Sequence, residues 1–295
     1  MVQLGRSKAL YGIYMRNLGF ELEMSDILTK DAAQIVYGDL SLWQDRWGGY
    51  NKPNLDYSKW HIQSDGTLLN TNGTHCMSTY MDEAGLIRSA NNGKSSAHRM
   101  FWQGAELISP VFTDEDTPQI VNQLFGYIEQ FKSAGAIFSS KFNNSLHVHV
   151  DVSDIDKETV LGLLWRIYDV QDRLDSLGND WNGRRKFTLE EVANLTSLSE
   201  KDFVEEYLKT RTGRKIHFSA NSARRIVDIG PKFNPNKPDT IEFRCFKAVP
   251  DVNYIVECVL LCQWLIEEWV KGISPDYDLI LNEKLTKIKL LEGMS

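Results

Sequence analysis

Leu146-His147-Val148-His149-Val150-Asp151 alternates polar and apolar without a break. On a strand, successive side chains point to opposite faces. His147, His149 and Asp151 therefore share one face, and the valines between them share the other. A strand with one greasy and one polar face belongs to a sheet covered on one side only, which is characteristic of antiparallel pairing. The same two-residue period runs through Gly19-Phe20-Glu21-Leu22-Glu23-Met24, where Glu21 and Glu23 share a face. It recurs in Thr240-Ile241-Glu242-Phe243-Arg244-Cys245-Phe246, where Glu242 and Arg244 share one. Ala105-Glu106-Leu107-Ile108-Ser109 carries a single acid in an apolar strand that Pro110 stops.

The elements between these strands are of mixed type. Lys8 to Met24 reads as one long strand or two, and Ser25 to Val36 as a short helix. Trp60 to Leu69 suggests a hairpin turning at Asp65-Gly66. Thr117-Pro118 opens a helix with a cap and an N1 proline, and Gly135 closes it. A helix from about Asp154 to Leu177 follows, and Thr188-Leu-Glu-Glu191 and Ser199-Glu-Lys-Asp202 are capping signatures for two more, the second ending near Gly213. Lys215 to Ala220 reads as a strand, and Val252 to Val270 as a last amphipathic helix. The class is α+β with a largely antiparallel sheet. No composition break marks a second domain, so residues 1–295 are expected to form one catalytic domain with loop insertions near 38–60 and 70–100.

Composition narrows the function. Hydrophobic residues are 42% and charged residues 25% of 295, ordinary for a globular chain. Lys+Arg 33 against Asp+Glu 40 gives −7, which disfavours non-specific nucleic-acid binding. No apolar run is long enough to span a membrane, and the N-terminus lacks a signal-peptide pattern. Cys76, Cys245, Cys258 and Cys262 show no CxxC and read as reduced thiols, which makes the cytoplasm the expected location.

An ordinary solvated sheet face mixes Lys, Thr, Ser and Gln. These strands instead repeat acids and imidazoles, with Arg244 as a single cation. Each motif alone has a bland reading as a solvated strand face. Together, on one concave surface, the carboxylates would raise each other's pKa and cost stability, and bound divalent cations remove that cost. Oxygen-rich ligation with one imidazole suits Mg²⁺ or Mn²⁺. Such a trough with an Arg suggests phosphate handling. Neither a GxxxxGK[ST] loop nor a GxGxxG after a strand is present.

The order Glu-x-Glu, Glu-Leu-Ile-Ser-Pro, His-Val-His-Val-Asp and Ile-Glu-Phe-Arg resembles the amidoligase family, carboxylate–amine ligases related to glutamine synthetase and glutamate–cysteine ligase. Asp65-Gly66-Thr67-Leu68 resembles the family's Asp-Gly-Ser element. The resemblance implies a glutamine-synthetase-like curved sheet with helices on its outer face, and an ATP-dependent ligase. It implies that Glu21, His147 and Glu242 hold the metal nearest the transferring phosphate, and that Glu23 and Glu106 hold a second. His149 and Arg244 would contact nucleotide or phosphate, Asp65 would add a carboxylate, and Arg184 and Arg185 match a basic position often found after the helix. The family often has Cys-Gly or Ser-Gly before the His pair, where this chain has Asn144-Ser145-Leu146.

The implied reaction activates a carboxylate as an acyl phosphate with ATP and captures it with an amine, small-molecule or peptide. Asp65 and Asp151 are the candidate general bases. Two other readings use the same residues: a metal-dependent hydrolase, and a non-catalytic nucleotide- or peptide-binding relative. The carboxylate, the amine and the oligomeric state stay open. Cys258 and Cys262 read as core, and His61, His75, His98 and His217 as non-ligands.

Overall fold

The computed structural model describes residues 16–43, 56–65, 68–76, 79–81, 87–89, 99–100, 102–113, 115–178, 185–208, 225–234 and 237–294. Arg184, the Lys215 to Ala220 strand, the end of a helix near Gly213, and the start of the N-terminal strand lie outside them.

Eight strands are present among these residues: β1 (Leu18–Ser25), β2 (His61–Ser64), β3 (Thr79–Met81), β4 (Ile87–Ser89), β5 (Gly104–Ile108), β6 (Ser145–Asp151), β7 (Val227–Asp228) and β8 (Thr240–Lys247). Six form a sheet in the order β2-β5-β1-β6-β8-β7, with every neighbouring pair antiparallel. Strands β3 and β4 pair only with each other, inside the stretch read as an insertion near 70–100. The helices are α1 (Thr29–Tyr37), α2 (Thr117–Ser133), α3 (Lys157–Asp175), α4 (Leu189–Ser197), α5 (Glu200–Leu208), α6 (Gly230–Phe233), α7 (Val252–Lys271) and α8 (Tyr277–Met294).

The period-two pattern sorts the sheet's faces. Phe20, Leu22, Met24, Ala105, Leu107, Leu146, Val148, Val150, Ile241 and Phe243 are all buried in one apolar cluster. Helix α7 lies at its centre, against β1 and β6 on one side and α2, α3 and α8 on the others. It is buried nearly all round, from Tyr254 to Trp269, and its N-cap Asp251 accepts the Tyr254 N–H at 2.9 Å. The polar residues of the same strands face away from this layer.

Three expectations are corrected. Among the described residues, no pairing joins the two sides of the hairpin expected at 60–69: β2 pairs with β5 (Gln63 opposite Glu106), and Leu69 instead bridges His75. The outer side of β2 is protected by side chains, with the Ile62 N–H donating to Tyr37 Oη at 3.3 Å and the Trp43 indole N–H donating to Ile62 O at 2.9 Å. Helix α7 is not the last: α8 follows and packs back on it through Tyr277, Leu281, Leu285 and Ile288. The α2 cap is also shifted. Asp116 is the N-cap, and its carboxylate accepts from Thr113 instead of the helix. Thr188 and Glu191 form the expected capping box of α4.

Candidate functional site

Residues directly opposite on an antiparallel pair share a face. On the polar face Glu106 of β5 stands opposite Glu23 of β1, and Glu21 stands opposite His147 of β6. His149 stands opposite Glu242 of β8, and Glu242 opposite Asp228 of β7. A diagonal band of acids and imidazoles thus crosses five adjacent strands. The β6–β8 register shifts between Leu146 and Val148, so two residues of β8, Arg244 and Cys245, oppose His147 alone. This bulge lets Phe246 return to the core while Glu242 and Arg244 stay together on the polar face.

The side chains converge. His147 Nδ1 lies 3.2 Å from Glu21 Oε2 and 3.5 Å from Glu242 Oε1, and its Nε2 lies 3.8 Å from Glu23 Oε1. His149 Nε2 lies 3.5 Å from Glu21 Oε1 and 3.7 Å from Glu242 Oε1. That nitrogen is buried and makes no hydrogen bond. Glu21, His149 and Glu242 each offer one donor atom, all within 4.8 Å of one another. Two carboxylate oxygens and an imidazole nitrogen facing a common space fit a hard divalent cation.

Ser145 supplies a second argument for positive charge here. Its backbone N–H and its hydroxyl both donate to Glu23 Oε2 at 2.7 Å. With its one proton spent on Glu23, its oxygen accepts from His147 Nε2 at 2.9 Å. His147 Nδ1 then faces the Glu21 and Glu242 carboxylates, and that contact is favourable only with a proton or a metal ion between them.

Electrostatics follow from burial. Glu242 is 1% exposed. Burial pushes its pKa up, but the Arg244 guanidinium and His149 outweigh burial and hold it below the usual carboxylate range. Asp228 goes the other way: burial raises it, and the neighbouring Glu242 charge adds to the rise. Burial works against the Arg244 charge, yet Glu242, Asp228 and Glu21 together keep its pKa above the usual value.

The remaining sequence candidates fall as follows. Glu23 and Glu106 sit side by side in the band, but among the described residues the three-donor group does not include them. That group contains His149, while His147 is tied to Ser145 and Glu21. Asp65, just past β2, acts with Asp26 on the Cys76 thiol, which burial chiefly raises to about 12. Asp151 caps the turn after β6, accepting from Ser153 N at 2.8 Å and Asn17 Nδ2 at 3.1 Å. Arg185 is paired with Glu191 beside the α4 cap. His61 uses both ring nitrogens, on Tyr37 Oη at 3.1 Å and Asp56 O at 2.8 Å. Cys258 and Cys262 are buried in α7.

Two site residues escaped the sequence reading. Ser145 lies two positions before His147 and keeps its parity, so the period-two pattern already placed it on the polar face. Asn144 beside it is buried, accepting from Ser25 Oγ at 2.8 Å and donating to Ile137 O at 2.7 Å. Asp228 comes from a two-residue strand, too short to show a period.

The polar face of an open antiparallel sheet thus gathers acids and imidazoles into one cluster with the donor set of a metal site. The chain belongs to the amidoligase family: the family model described as "Putative amidoligase enzyme" matches residues 14–266. No curated protein and no solved structure matches the chain. Among the described residues, no helix is long and apolar enough to cross a membrane.

Proposed function

We propose that this chain is an ATP-dependent carboxylate–amine ligase that forms an amide or peptide bond through an acyl phosphate, on a glutamine-synthetase-like curved sheet. The observation that carries the reading is the convergence of three separate motifs: Glu21, His149 and Glu242 offer donor atoms within 4.8 Å of one another. Family membership supplies the reaction class.

Glu21, His149 and Glu242 would hold Mg²⁺ or Mn²⁺, with His147 bracing Glu21, and Glu23 and Glu106 would serve a second cation beside them. A divalent cation bound there supplies charge neutralisation between two anions that otherwise repel, the nucleotide and the substrate carboxylate. Arg244 holds the phosphoryl oxygens and stabilises the charge that develops on them during transfer. Ser145 fixes the Glu23 carboxylate, so that the acid band is positioned before ligands arrive. The amine then attacks the activated carbonyl, and phosphate departs. Helices close the opposite face of the sheet, so substrates enter from the polar side.

The test is release of ADP that requires Mg²⁺, a carboxylate and an amine together. Glu21→Ala and Glu242→Ala should each abolish it while circular dichroism stays unchanged. Normal turnover in both variants, or cleavage of an amide or phosphoester without nucleotide, defeats the proposal.

A further inference from the structure

Arg244 is held by Glu242 through one nitrogen only. Both carboxylate oxygens of Glu242 contact the same Nη2, at 2.7 and 2.8 Å. This is not the two-nitrogen fork that fixes a guanidinium plane; a single shared nitrogen leaves the plane free to swing about it. Arg244 Nε is buried and makes no hydrogen bond, so no hydrogen bond fixes that edge. An arginine that must meet phosphoryl oxygens in a set orientation needs a second anchor.

Asp228 is the group placed to supply it. It lies on β7 directly opposite Glu242, and so on the same face as Glu242 and Arg244. The pairing of the two strands continues at the backbone, where Arg244 N–H donates to Ile226 O at 2.8 Å. Asp228 is 1% exposed, and its Oδ1 accepts the Gly230 N–H at 2.8 Å, which fixes the side chain's rotamer. With Glu242 and Glu21 it is one of the carboxylates that keep the Arg244 pKa above its usual value. A desolvated carboxylate next to Glu242 is costly. A role confined to capping Gly230 would not require an acid there, because an asparagine oxygen accepts the same hydrogen bond.

Building on the ligase reading, we infer that Asp228 is a positioning residue: with Glu242 it clamps the Arg244 guanidinium from two sides and sets its orientation toward the transferring phosphoryl group. Asp228 touches neither cation nor substrate; it acts through Arg244.

The experiment uses the full chain with Asp228→Asn, Arg244→Lys and the double variant. Three quantities are read: Mn²⁺ affinity by loss of the free-ion EPR signal, ADP release, and the Arg244 Nε–H resonance in a ¹⁵N-arginine-labelled sample, assigned by its absence in Arg244→Lys. Asp228→Asn should leave Mn²⁺ affinity unchanged, shift the Nε–H resonance, and lower turnover by about 10- to 100-fold, as lost supporting hydrogen bonds do. In the Arg244→Lys background the same substitution should add no further loss, because the two residues act as one unit. A fall in Mn²⁺ affinity would make Asp228 a ligand, and additive losses would make it independent of Arg244; either overturns the inference. If the wild type releases no ADP, the ligase reading fails, and the resonance still decides the clamp: moved supports it, unmoved refutes it. Should Asp228→Asn not fold, Asp228→Glu serves, since it keeps the charge one methylene displaced and must still move the resonance.

Discussion

Replacing Glu21 with Gln should make the metal-free protein more stable, against the usual cost of altering a partly buried ion-pair partner. Glu21 and Glu242 place oxygens within 4.8 Å of each other. Two full charges at that separation repel by about 3.5 kcal/mol at an effective dielectric of ~20. His147 and His149 face both acids and Arg244 pairs with Glu242, so much of this is offset. The Glu21 side chain is 14% exposed, which screens it further. A net relief of about 1 kcal/mol remains, raising Tm by roughly 2 °C for a chain this long. Glutamine keeps the shape and can still hydrogen-bond His147. With Mg²⁺ the order inverts. At a hundred times its Kd a cation stabilises the wild type by about 2.7 kcal/mol, and the variant forfeits most of that. Thermal unfolding in EDTA and in Mg²⁺ reads both effects. The reasoning is refuted if Glu21→Gln melts below wild type in EDTA while keeping the full Mg²⁺ shift, because Glu21 would then be an ordinary ion-pair partner of His147.

Other perturbations test the frame around the site. Arg16 is buried, bonded to Glu267 at 2.6 Å and to Asp154, and ties the start of β1 to α7. Arg16→Met should destabilise by about 2–4 kcal/mol, at the lower end of buried-pair losses because Lys271 also reaches Glu267, as read by urea unfolding. Gly104→Ala should cost about 1–3 kcal/mol by overpacking, since its Cβ would meet Cys76 Sγ at 2.7 Å; a Cys76→Ala second change should recover part of it. Glu191 sits in a half-buried cluster: burial pushes its pKa up, but Arg225 and the Thr188 N–H outweigh burial and bring it below the usual carboxylate value. A depressed carboxylate contributes stability above its unfolded pKa and loses it as pH falls through the folded one. Wild type should therefore lose stability toward acid more steeply than Glu191→Gln, as measured by Tm against pH.

Much of the fold was legible because the informative strands are long and half-covered. In β1, β6 and β8 the alternation fixed both conformation and face, so the polar sets Glu21/Glu23, His147/His149 and Glu242/Arg244 could be read directly. Strand order could not be read: β1 lies between β5 and β6 only because long-range register places Glu21 against His147. Turn chemistry misled at Asp65, where the apparent hairpin lost to pairing of β2 with β5. Helix α8 was missed although Tyr277, Leu281, Leu285 and Ile288 repeat at helical spacing, because Leu279, Leu290 and Met294 point outward and blur the stripe. Asp228 was invisible, since its strand has two residues and only the Glu242 pairing gives it meaning.

The placement of the acids argues against a purely structural origin for the band. A sheet face exposed to water tolerates carboxylates cheaply, and a buried face excludes them; this face does neither. Glu23, Glu106, Glu242 and Asp228 are all no more than 5% exposed, yet they stand in adjacent register. Burial and mutual repulsion both work against the folded state, and a stretch of Thr and Gln would serve the sheet better. Their neighbours offset the cost: Ser145 donates twice to Glu23, Gly230 once to Asp228, and Arg244 with His149 outweighs burial at Glu242. Each of these contacts fixes an oxygen in place, and the strands beneath cannot rearrange without breaking the ladder. A rigid set of anions already desolvated needs little reorganisation to receive a cation, which is the economy a metal-assisted transfer requires and a stability-driven surface would not retain.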